Sequence, residues 1–293
     1  GAELLTDPEV RSLLDRHAEP ATIVRAEYGL NGAPPPLIPV DAIDRYSRHD
    51  WRNLPGTNHY SVLFDGGGAT PLLYLPSVTT QMVLWDMDLQ NAFDAPQPAG
   101  AGRGGPVLFS FGTVRAVDCV FKSNTAQSLS GGAVQNLGFM RFTGCLFEGN
   151  TAGDVGGALL NAGGQVELLG CSFTSNTATQ LGGAVANVLG GSLSIRSTRF
   201  QENAALVSGG ALHNTANSET VARNVLFNAN TAASDGGAVN NLGRLTLVNG
   251  TVSGNTAGRN GGGLYHTGPK LDMTNVTVTG NLADSVNSGV AEG

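Results

Sequence analysis

The chain has 293 residues, 42 of them Gly, with 13% charged and 6% aromatic side chains and a formal net charge of −7. Residues 113–293 hold 9 basic and 10 acidic side chains, so nearly all the acidic excess is N-terminal and no basic face accumulates; this argues against nucleic-acid binding. No apolar run reaches 18 residues, so no helix drawn from this sequence spans a membrane, and so Gly-rich a chain suits a thin-walled repeat array better than a helical enzyme.

Residue 1 is Gly and no leader segment is visible, which fits a cleaved precursor. Residues 3–16 are expected to form a short amphipathic helix. Thr6 or Asp7 serves as its cap, and Val10, Leu13 and Leu14 share one face. Residues 33–40, with Pro34, Pro35, Pro36 and Pro39, read as an extended connector. Together residues 1–59 are expected to be a cap and linker, covering the unpaired strand edges of the strand-rich segment C-terminal to it.

Strand-like runs begin at Tyr60, and residues 60–112 read as two degenerate coils. Leu89 and Asn91 are a blurred copy of a motif that becomes regular later. Asp86, Asp88 and Asp94 are the only local group of carboxylates and a weak candidate for calcium or sugar, beside the loop 96–105. Gly102-Arg103-Gly104-Gly105 within that loop is no phosphate loop, because it lacks the Gly-Lys-Ser/Thr ending and a following helix.

Residues 113–293 repeat regularly every 25–27 residues. An apolar residue is followed three places on by Asn and two later by a small residue. The first column is Phe121, Phe147, Phe173, Phe200, Phe227, Val252 and Val278. The second is Asn124, Asn150, Asn176, Asn203, Asn230, Asn255 and Asn281. A Gly pair intervenes, and five residues after its first Gly stand Asn136, Asn161, Asn187, Asn214, Asn241 and then His266. With the Phe as position zero, positions −7, −5, −2 and 0 are apolar or small while −6, −4 and −1 vary freely, the in–out alternation of strands. The Asn at +3 and the Gly pair suit left-handed or tight turns.

A period of this size means one supersecondary unit per repeat, stacked on its neighbours. The fold class is all-β, a right-handed parallel β-helix over 60–293. It has three short strands per coil and about nine coils, roughly 43 Å long at a strand spacing of ~4.8 Å. A propeller blade needs about 40 residues, and the leucine-rich signature is absent. The Phe and Asn columns are expected to stack as internal ladders.

The segments FEGNTAGDVGGALLN and FTSNTATQLGGAVAN resemble the chlamydial polymorphic outer-membrane protein repeats. They also resemble a broad group of secreted β-helix proteins, whose Gly-Gly-Gly-Ile-Tyr-Asn motif is similar to Gly261–His266 here. The resemblance covers about residues 113–290. It implies an extracellular or cell-surface location and adhesive or passenger roles rather than enzymatic ones.

Cys119, Cys145 and Cys171 all fall at position −2 and are expected to be buried thiols, since in-register parallel side chains are poorly aimed for a disulfide. No cofactor, catalytic set or metal-ligand spacing emerges. Asp154 and Asp235 occupy comparable loops three coils apart. Arg196 and Arg223 stack at −4 with Arg199 nearby, and read as solvated surface charge. His213 and His266 fall in different columns, two coils apart. The broken Thr column at +4 reads as turn hydroxyls. Asn249 and Asn275 are the only acceptor sequons, both at the bend position −3, and are expected to carry sugar if the protein passes through a eukaryotic secretory route.

Ala133, Ala158, Ala184, Ala211, Ala238 and Gly263, with Gln135, Leu160, Ala186, His213, Asn240 and Tyr265 two residues on, are expected to form a flat, small, weakly polar outer wall if the Val and Leu residues between them face inward. Such a wall suits another protein. At the C-terminal end the repeat stops near Val290 without a cap, so the chain is expected to be a piece of a longer protein or to have that end covered by a partner. Glycans are the other candidate partner. The function expected is therefore a structural or adhesive β-helix. The alternatives are a carbohydrate-active or carbohydrate-binding β-helix and a scaffold subunit of a larger assembly.

Overall fold

The computed structural model describes residues 62–65, 73–75, 77–94, 107–127 and 129–283. The helix expected over 3–16, the connector over 33–40, the cap, the loop 96–105 and the C-terminal end near Val290 lie outside them.

The described chain is an all-β solenoid of parallel strands. One coil runs Thr113–Val117, Val120–Lys122, Thr125–Ala126, Val134–Asn136, and the next repeats it from Phe139–Thr143 onward. Like strands of successive coils pair in parallel and build four sheets of nine, eight, eight and seven strands. They are named here by content: the Phe sheet, containing Val120–Lys122; the two-residue sheet, containing Thr125–Ala126; the Gly-Gly sheet, containing Val134–Asn136; and the five-residue sheet, containing Thr113–Val117. The coil thus has four strands, not the expected three. The fourth is only two residues long, too short to show an alternating pattern. Seven turns carry all four strands, so the expected nine is reached only by counting the two-strand partial turn at each end.

Register is constant along the stack. Phe121 pairs with Phe147, Phe147 with Phe173, Phe173 with Phe200 and Phe200 with Phe227. All five rings are fully buried, and they stack with centroids 4.4–4.9 Å apart and nearly parallel planes. Phe142 packs edge-on to Phe121 and Phe147, with centroids 5.8 and 5.2 Å away. Each buried ring contributes roughly 1.5–3 kcal/mol by leaving water, and aromatic contacts add about 0.5–1.5 kcal/mol per pair.

The corners are set by left-handed backbone. One such residue stands at position −3: Asp118, Gly144, Gly170, Ser197, Asn224, Asn249 and Asn275. Another stands at +2: Ser123, Gly149, Ser175, Glu202, Ala229, Gly254 and Gly280. The second set corrects the sequence reading, which gives that role to the Asn at +3. That Asn sits just past the turn with its amide turned inward. The second Gly of each pair answers a different demand. A Cβ on Gly132 would lie 2.1 Å from the carbonyl oxygen of Gly157, so only Gly lets the coils approach there.

The degenerate coils keep the register but not the residues. Leu89 pairs with Phe121 and takes the Phe place. Asn91 is the left-handed residue at +2, and Ala92 occupies the Asn place, its N–H donating to Asn124 Oδ1 at 3.1 Å. At the other end, in the last described coil, Met273 and Val278 are 40% and 52% exposed, whereas their register partners Leu247 and Val252 are fully buried.

Candidate functional site

Two columns of amides run inside the wall. Asn124 Nδ2 donates to Asn150 Oδ1, and the chain continues through Asn176, Asn203, Asn230 and Asn255 to Asn281, each link 2.8–2.9 Å. The second hydrogen of each amide goes to a backbone carbonyl one coil back, as from Asn150 to Phe121 and from Asn176 to Phe147. A second ladder joins Asn136, Asn161, Asn187, Asn214 and Asn241, and ends with Asn241 Nδ2 2.7 Å from His266 Nδ1. An amide nitrogen only donates, so that imidazole accepts at Nδ1 and carries its proton on Nε2. These side chains satisfy each other and the turns and are not free for chemistry.

The three cysteines are buried free thiols in one column. The Cys119 thiol, hydrogen-bonded to that of Cys145 and desolvated, is pushed up from its ordinary pKa and stays protonated.

Outside, the charges pair along the axis at the surface: Lys122 with Glu148 at 3.2 Å, and Arg141 with Glu167 at 2.5 Å. Exposed pairs of this kind contribute about 0–1 kcal/mol. Arg196 and Arg223 are register partners and both exposed; Arg199 lies on the Phe sheet instead. Asp154 accepts from the Ser130 hydroxyl at 2.9 Å, while Asp235 is held by Arg259 at 3.2 Å and by the Asn260 amide at 3.0 Å.

Asp86, Asp88 and Asp94 stand on different elements of the coil. Asp86 is a left-handed corner residue, Asp88 lies on the Phe sheet opposite Val120, and Asp94 is in register with Ala126 on the two-residue sheet. Burial raises the pKa of Asp88, with Lys122 opposing. Among the described residues, no three His, Cys, Asp or Glu side chains form a group that would hold a metal ion. Asn249 and Asn275 are exposed, left-handed corner residues, and their amides continue an outer ladder from Asn224, with links of 3.3 and 3.2 Å.

The outer wall of the Gly-Gly sheet differs from the expectation. Ala133, Ala158, Ala184, Ala211 and Ala238 are fully buried members of the core, as are Val134, Leu159, Val185, Leu212 and Val239 beside them. At this corner two consecutive residues face inward, so the Ala column is no part of the surface. The outward column is the next one along the chain: Gln135, Leu160, Ala186, His213, Asn240 and Tyr265, each in register with its neighbour one coil on. It is not flat. The loops before the Gly pairs lean over it: a Cβ on Gly131 would come within 3.2 Å of the Leu160 Cβ, and one on Gly209 within 3.3 Å of the Asn240 Cβ.

His213 keeps 2% of its surface and Asn240 6%. His213 Nδ1 and Asn240 Oδ1 are buried without a hydrogen-bond partner, the only such side-chain atoms among the described residues. Burial alone lowers the His213 pKa to about 4, so the ring is neutral at pH 7. Both residues are visible in the sequence as members of a column. Their burial is not; for Asn240 it involves the turn at Gly209 in the coil before it.

Residues 144–162 match the family model of the Chlamydia polymorphic membrane protein (Chlamydia_PMP) repeat. The matched stretch runs from the corner at Gly144 through Phe147, Asn150 and the Gly156-Gly157 pair to the strand Leu159–Ala162. Neither a curated protein nor a solved structure matches the chain.

Proposed function

We propose that this protein is a surface-presented adhesive rod that works by contact rather than by turnover. The observation that carries the reading is the fate of the repeat's polar residues. The buried Asn amides close ladders from Asn124 to Asn281 and from Asn136 to His266. The repeat therefore specifies a stiff scaffold, and variation is left to the outward positions. The matched repeat supports placing the rod outside the cell, at a surface. A protein or a glycan is the partner, met along the wall. A polysaccharide lyase or hydrolase needs a general acid and base set about one substrate bond. The exposed carboxylates of the described residues are instead spread over different sheets or paired with Lys and Arg.

Inert beads coated with the protein test this reading on a panel of animal and bacterial cells, with release of products from uronate polymers measured in parallel. The reading expects saturable adhesion and no product. Product release that is lost on changing an outward Asp or Arg overturns it, as does the absence of adhesion to every cell type.

A further inference from the structure

His213 and Asn240 face each other on adjacent strands of the outer Gly-Gly wall, and each buries one polar atom with no partner. Leaving such a group unpaired costs about 1–3 kcal/mol, and buried polar atoms are nearly always satisfied. The cost is not imposed by the fold. The same column holds Ala186 one coil before His213 and Leu160 two coils before it, so apolar side chains fit this wall. Two adjacent orphans at a place where the scaffold accepts Leu point to a ligand that completes them.

The chemistry of the ligand follows from the two atoms. Asn240 Oδ1 accepts only, so the incoming group must donate. His213 Nδ1 donates or accepts according to its tautomer. A hydroxyl satisfies both from a single oxygen. A carboxylate or a phosphodiester has no hydrogen for Oδ1, and any anion or cation would be desolvated here without a facing charge of opposite sign. No charged side chain belongs to the column from Gln135 to Tyr265. With only 2% and 6% of the two side chains exposed, the group must protrude from its carrier to enter, as a hydroxymethyl does. One coil on, Tyr265 stands in register with Asn240 and is half-buried, an aromatic surface about 4.8 Å along the axis. A peptide ligand would normally add to a free strand edge; this is a sheet face whose strands are paired on both sides.

We propose that the His213–Asn240 notch binds a hydroxyl of a neutral glycan chain lying along the Gly-Gly wall, with Tyr265 beneath the adjacent sugar. The proposal rests on the contact reading given under the proposed function and names its ligand class. The test is a panel of neutral oligosaccharides built from glucose, mannose, galactose and N-acetylglucosamine. Binding is followed by calorimetry and by the nitrogen resonances of the His213 imidazole. At least one sugar is expected to bind at one site per chain and to shift the His213 signals. The double variant H213L/N240L should bind it at least tenfold more weakly without melting earlier, since it removes two unpaired polar groups. The shift in the wild-type protein needs no variant, so a folding defect in H213L/N240L does not leave the question open. A panel in which no sugar binds overturns the proposal, as do unmoved His213 signals or equal binding by the double variant. A crystal grown with the best sugar that shows only a water bridging Nδ1 and Oδ1 also overturns it. Adhesion of coated beads separates the two readings. If wild-type beads adhere while no sugar binds, the notch assignment fails and the contact reading stands; if they do not adhere, the contact reading itself fails.

Discussion

Asn150 and Asn176 are joined twice: Asn176 Oδ1 accepts the Asn150 Nδ2 at 2.9 Å and the Asn150 backbone N–H at 3.0 Å. The same Asn176 donates to Phe147 O and to Asn203 Oδ1, so one amide closes four hydrogen bonds across three coils. Asn176→Ala strands an N–H, a carbonyl and two neighbouring amides in the core. At about 1–3 kcal/mol for each buried group left unpaired, and with partial relaxation, the expected loss is about 3 kcal/mol in chemical denaturation. Asn176→Asp should cost at least as much at pH 7, because a carboxylate cannot donate to Phe147 O. A loss under 1 kcal/mol for either variant contradicts the ladder account.

Phe173 lies between Phe147 and Phe200, at 4.4 and 4.9 Å. Phe173→Ala opens a cavity that stacked coils are poorly able to close, and should cost about 3–5 kcal/mol. Phe173→Leu should recover a good part of this. Equal denaturation midpoints for wild type and Phe173→Ala would show that this ring does not support the fold.

His213 gives a pH dependence with a defined sign. Its pKa falls from an ordinary 6.5 to about 4 in the folded chain, through burial. The unfolded chain therefore takes up a proton below pH 6.5 that the folded chain refuses. The stabilisation is complete above 6.5 and is lost progressively as the pH falls toward 4. Between pH 7 and pH 5 this amounts to roughly 2 kcal/mol. Urea unfolding of wild type should show that difference, and His213→Leu should lack it. Identical pH slopes in the two proteins contradict the burial of this imidazole.

The three cysteines should be inert while the coil is closed. Cys119, Cys145 and Cys171 are buried and unbridged, so iodoacetamide should label none of them in the native protein and all three in denaturant. Rapid native labelling of Cys145, in the middle of the column, would contradict its place in the core.

Asn249 and Asn275 stand exposed at the corners. Expression through a eukaryotic secretory pathway should add sugar to at least one of them, seen as an intact mass that falls on treatment with an amidase specific for asparagine-linked glycans. Two bare sites from that host would contradict the accessibility of this corner.

The features most legible in the sequence are those that repeat in chemistry as well as in place. Phe, Asn and Gly-Gly recur at regular intervals, so the stacked coil, the internal Phe column and the Asn ladders can be read directly. The left-handed residue at +2 recurs in place only. It is Ser123 in one coil, Gly149 in the next, Glu202 and Ala229 later, and the recurring Asn beside it draws the assignment. The two-residue strand at Thr125–Ala126 is too short to alternate. Ala133 and its equivalents suit an inner corner and an outer wall alike, and only the backbone direction at that corner decides. The His213–Asn240 pair is hidden for a further reason: its burial, in part by the turn at Gly209 one coil before Asn240, is a neighbourhood that no linear spacing displays.

The central claim is that the interior builds the rod and one outer wall makes the contact. The most direct measurement is bead adhesion by three variants, each altered on one wall: H213L/N240L on the Gly-Gly wall, R141A/E167A on the five-residue wall and K122A/E148A on the Phe wall. The account predicts that adhesion is lost only in H213L/N240L, with all three proteins as stable as wild type. Adhesion kept by H213L/N240L, and lost in either of the others, would contradict it.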